Sequence, residues 1–107
     1  MKYDLIILDS AEAELVEAED WYEAKRPGLG IEFRLAIEEA IDYLVEWPLA
    51  APPLLTVPEE LGVRHVPVKR FPYSVVFMPR DNEVWVIAFA HHSRRPGYWR
   101  ERRNKVK

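Results

Sequence analysis

The hydrophobic pattern changes period along the chain, and each change marks an element. Tyr3 to Leu8 is an aromatic and β-branched run of strand length, closed by Asp9-Ser10. From there the apolar positions Ala11, Leu15, Ala18 and Tyr22 recur at helical intervals with acids between them, which predicts a first helix over residues 10–25. Asp9 and Glu12 have the spacing of a capping box, and the early acids and late Lys25 and Arg26 suit the two ends of the helix dipole. Pro27-Gly28-Leu29-Gly30 ends it. A second helix is predicted from Gly30 to Trp47, because Phe33, Ile37, Ala40, Leu44 and Trp47 fall at intervals of four, three, four and three. So tight a link makes the two helices an antiparallel hairpin that turns both apolar stripes to one core.

Residues 48–62 hold Pro48, Pro52, Pro53 and Pro58 and read as an irregular connection, since proline removes donors and restricts the residue before it. The period then shortens. Val63 to Lys69 alternates loosely, Tyr73 to Met78 is strand-rich, Arg80 to Glu83 is a polar turn, and Val84 to Ala90 is nearly continuous in apolar residues. These are the strands of a three-stranded antiparallel meander. The continuous run places the last strand centrally, and Pro67 places its own strand near an edge. A basic tail of one or two helical turns follows. The predicted fold is therefore α+β: a strand, a helical hairpin, the meander and a short C-terminal helix, with the helices on one sheet face.

Composition narrows the class. A chain of 107 residues is one domain, 1–107, and 49% hydrophobic residues give it enough apolar surface to fold. Cys 0 removes disulfides, thiolate metal sites and cysteine nucleophiles. No apolar run reaches membrane-span length and the N-terminus lacks the order of a signal peptide, so a cytoplasmic protein with no membrane contact is expected. The net charge of −3 conceals a division: residues 1–62 hold 4 Lys+Arg against 15 Asp+Glu, and residues 63–107 hold 11 against 3, giving −11 and +8. The basic half is where acidic partners are expected.

Four local signatures then stand in order: Trp21-Tyr22 late in the first helix; Pro27-Gly28-Leu29-Gly30 followed by Glu32-Phe33; Arg70-Phe71-Pro72-Tyr73 entering the middle strand of the meander; and His91 to Arg95 followed by Pro96-Gly97-Tyr98-Trp99 and Arg102. Across essentially the whole chain this resembles the RelE/ParE superfamily of toxins from bacterial type II toxin–antitoxin modules. The resemblance implies a protein that arrests growth and is held inactive by a cognate antitoxin in a hetero-oligomer. It also implies one of two targets. RelE-like members cleave mRNA on the ribosome without a metal, and ParE-like members inhibit DNA gyrase.

Metal-free RNA cleavage needs a base, an acid and cations for the phosphate. By the resemblance Tyr98 holds the place of a functional tyrosine, with His91 or His92 able to move protons and Arg70 able to supply charge. Against this, RelE-like enzymes place an arginine directly after the aromatic that opens the middle strand, and here Tyr73 is followed by Ser74. A serine carries no charge to stabilise a phosphorane. Arg64, Lys69, Arg94, Arg95, Trp99, Arg102 and Arg103 are candidates for contact with the target or antitoxin, arginines interleaved with aromatics being enriched in binding surfaces. His91 and His92 would point in opposite directions if extended, which disfavours a metal site, and no cofactor is expected. Glu12, Glu14, Glu17, Glu19, Asp20 and Glu23 read as a solvated face. The expectation is a noncatalytic inhibitor of the gyrase-poison kind; the alternatives are a ribosome-dependent endoribonuclease and an inactive, antitoxin-binding homologue.

Overall fold

A computed structural model, which describes residues 2–54, 58 and 61–106, arranges the chain as β1 (Asp4–Ile7), α1 (Asp9–Lys25), α2 (Leu29–Glu46), β2 (Arg64–Pro67), β3 (Tyr73–Arg80), β4 (Glu83–His91) and a 3₁₀ helix, Arg100–Lys105. The strands form one sheet in the order β1-β4-β3-β2. The meander is antiparallel, and β1 joins it parallel to β4, with Ile7 opposite Val86. β4 is central and β2, with Pro67, is an edge strand. Pro52 to Leu54 runs along that edge, through bonds from His65 N to Pro52 O and from Leu54 N to Val63 O, so the edge is blunted against further pairing. Of the proline-rich connection, residues 55–57 and 59–60 lie outside the described residues.

The stripes of the hairpin bury where their spacing directs them. Ala11, Leu15 and Ala18 of α1, with Phe33, Ile37, Ala40 and Leu44 of α2, pack on Val66, Val75, Phe77, Val84, Val86 and Phe89. The opposite sheet face is covered in part by the tail: Trp99 and Val106 close over Val63, Val76, Met78, Ile87 and Ala88. Burial on both faces is why β4 is apolar almost throughout.

Two local expectations are corrected. Asp9 does not cap α1. Leu8 N is bonded to Val86 O, and the chain passes directly from sheet to helix, so the cap position falls on Leu8 and Asp9 contributes only charge at the helix start. Trp47 does not extend the buried stripe of α2: it is 59% exposed. The residue before a proline is pushed out of helical geometry, and Trp47, preceding Pro48, sits at φ −131°, ψ 55°.

The hairpin turn is held by one carboxylate. Glu23 accepts from the N–H groups of Gly28 and Gly30, both at 3.0 Å in their shorter bonds. Gly28 takes φ +89°, the left-handed region that suits glycine. Arg34 then clamps the two helices, its Nε and Nη2 reaching Glu19 at 2.5 and 2.9 Å.

Candidate functional site

A bulge in β4 is where the site begins. Val76 pairs with Ala88 but the next residue, Phe77, pairs with Val86, so Ile87 is the extra residue. β1 pairs with β4 only as far as Val86, which leaves the neighbouring edge of β4 without a strand. Side chains take its place. Glu14 of α1 accepts from Phe89 N at 3.2 Å, and Arg102 Nη1 donates to Ile87 O at 3.0 Å. The two side chains also meet as a paired fork, Nη1 to Oε1 at 2.8 Å and Nη2 to Oε2 at 3.2 Å, and both are largely buried. Tyr98 completes the group by donating its hydroxyl to Glu14 Oε2 at 2.5 Å.

This arrangement decides what Tyr98 can do chemically. Burial first, and then the Glu14 carboxylate, push its phenol far above the ordinary tyrosine value. A phenol so held keeps its proton and is aimed at α1. Arg94 and Arg102 stack on its ring, with guanidinium carbons 4.1 and 5.3 Å from the centroid.

The remaining candidates divide between the sheet faces. His91 turns to the helical side, edge-on to Tyr73 at 5.0 Å, and its Nδ1 accepts Ser93 N–H at 2.9 Å, leaving Nε2 to carry the ring proton. His92 turns to the other face, its Nε2 lying 3.0 Å from Ser74 Oγ. The two imidazoles therefore cannot share one ion. Arg70 is drawn to the helical side, where Nη2 reaches Glu32 at 2.9 Å, so it does not stand in for a charge at Ser74. Lys69 pairs with Glu39 at 2.7 Å, and Arg64 donates to Ala51 O at 2.6 Å. Trp99 is 2% exposed and anchors the tail, with no face left for a partner. Arg94 and Arg95 rim a cleft beside His92, and Arg103 lies on the 3₁₀ helix with a buried Nε.

The solvated acidic face is corrected at two positions: Glu12, Glu17, Asp20 and Glu23 are exposed, Glu23 while bonding the hairpin turn, but Glu14 and Glu19 are drawn inward by Arg102 and Arg34. Glu14 was the residue with a readable signal: it stands three positions after Ala11 and four before Ala18, on the buried stripe itself. His65, half-buried on β2, had no such signal, because its approach to His92 depends on strand pairing.

A family model for the ParE toxin of the type II toxin–antitoxin system parDE matches residues 5–96. The chain belongs to the ParE toxin family. Membership settles which superfamily the four signatures announce. A solved structure of the chromosomal ParDE toxin–antitoxin system from P. aeruginosa shares the fold, with a TM-score of 0.73 at 23% identity over 84% of this chain and 96% of that one. No curated protein matches the sequence. Among the described residues no helix is long and apolar enough to cross a membrane.

Proposed function

We propose that this ParE-family toxin arrests growth by binding an essential target, in the manner of a gyrase inhibitor, and that a cognate antitoxin neutralises it from the side of the sheet and tail. The observation that carries this reading is the Glu14–Tyr98–Arg102 cluster. The tyrosine that a nuclease would direct at RNA is turned onto a carboxylate of α1 instead, and Arg102 closes on the same carboxylate. Ser74 supplies no charge where the nuclease alternative needs it, and Arg70 is engaged elsewhere by Glu32. What remains is a polarised surface that binds.

A supercoiling assay with purified gyrase tests the target. The toxin is expected to block supercoiling and accumulate cleaved DNA, and adding a cognate antitoxin is expected to restore activity. Supercoiling that proceeds unchanged in the presence of excess toxin would overturn gyrase as the target.

A further inference from the structure

The sheet face away from the helices carries a cleft that the Glu14 cluster does not use. Ser74, Val76 and Ala90 form its floor, and about 330 Å³ lies above them. His65 stands on the β2 side, opposite Val76 in register. His92, Arg94 and Arg95 stand on the other, where the chain leaves β4, and His91 and Tyr98 also border that end. Among the described residues no Asp or Glu lines this space, in a chain that has 18 of them. Ser74 is 8% exposed, and its hydroxyl meets His92 Nε2. When Nε2 carries the proton, Ser74 accepts from it and its own O–H is left to donate into the cleft.

Burial, and then the neighbouring His92, hold the His65 imidazole below its usual pKa. His65 also borders the groove between α2 and β2, but there Glu39 is already paired with Lys69, and Tyr43 is the remaining titratable neighbour. An anion between the histidines would relieve what the protein leaves uncompensated.

We propose that this cleft is an oxyanion pocket that seats a carboxylate of an acidic, otherwise apolar partner segment between His65 and His92, above Ser74, and takes up protons as it binds. The assignment rests on the reading of the chain as a toxin held by a protein partner. A peptide fits better than a phosphate chain. Besides its charged rim the cleft is bounded by Leu54 and Pro96, apolar groups that pack against a peptide's side chains and offer nothing to further phosphates.

The test is an NMR titration of the isolated, labelled toxin with acetate and, separately, inorganic phosphate. Acetate is expected to give saturable shifts confined to Ser74, Ala90 and the His65 and His92 rings, with affinity rising about tenfold between roughly pH 7.5 and 5.5. Ser74→Ala and His92→Gln are expected to weaken it at least about threefold each, and Arg80→Gln, at the far end of β3, to leave it unchanged. Shifts that are linear or spread over the surface would overturn the pocket, and the wild-type titration decides this even where a variant unfolds. Saturation by phosphate alone would overturn the carboxylate and point to nucleic acid. Equal affinity at both pH values would overturn the proton uptake. A toxin that arrests growth yet shows no pocket would overturn only this inference and leave the toxin reading standing.

Discussion

Glu14 is the residue on which most depends, because it satisfies a backbone donor of β4, a phenol and a guanidinium together. Removing one partner of a buried charge pair leaves the other uncompensated, which costs about 3 kcal/mol. Glu14→Ala is therefore expected to lose about that much in urea unfolding and to loosen the tail; an unchanged midpoint would contradict the cluster's structural role. Tyr98→Phe removes one hydrogen bond and keeps the ring under Arg94, so it is expected to cost only about 1 kcal/mol and to leave growth arrest intact. His65 gives a pH signature. Its folded pKa lies below the unfolded 6.5, so the unfolded chain takes up a proton first, and stability is lost as pH falls through about 6.5. His65→Gln is expected to flatten that limb. The loss from Glu19, whose carboxyl is held down by its bond to Arg34, comes separately and lower, as pH falls through 4.5.

At the level of elements, the hairpin depends on how closely α1 and α2 approach at Gly30. A Cβ there would meet Glu19 O and Glu23 Oε1 at 2.9 Å and Glu23 Cβ at 3.1 Å. Alanine favours a helix over glycine by about 1 kcal/mol, but forcing the packed helices apart costs about 1–3 kcal/mol. Gly30→Ala is expected to be net destabilising by about 1 kcal/mol in thermal or urea unfolding, and a stabilised variant would show that the helices can part freely. The helices, the meander and the central place of β4 were legible because their apolar positions repeat at a fixed period over many residues. The parallel pairing of β1 with β4 and the bulge at Ile87 were not, since both depend on register between distant segments. The site shared that limit. Tyr98 and Arg102 could be singled out by type and position, but their capture by Glu14, 84 and 88 residues away, follows only from the fold.

For the molecule as a whole, the division of charge into −11 and +8 is partly cancelled internally. Glu14–Arg102, Glu32–Arg70 and Glu39–Lys69 each join the acidic hairpin to the basic half. Arg94 and Arg95 stand apart from those pairs at the exit of β4, beside the cleft where no carboxylate intrudes. In the proposed reading, the basic surface offered to partners is thus narrower than the charge count suggests, and it lies on the sheet and tail. The central claim is that this surface binds and does not cleave. Its most direct test is to induce the wild-type toxin and Tyr98→Phe in cells without antitoxin, and to map mRNA 5′ ends beside chromosomal breaks. The account predicts that both proteins arrest growth with chromosomal breaks and intact mRNA. Prompt in-frame mRNA cuts that vanish in Tyr98→Phe would contradict it.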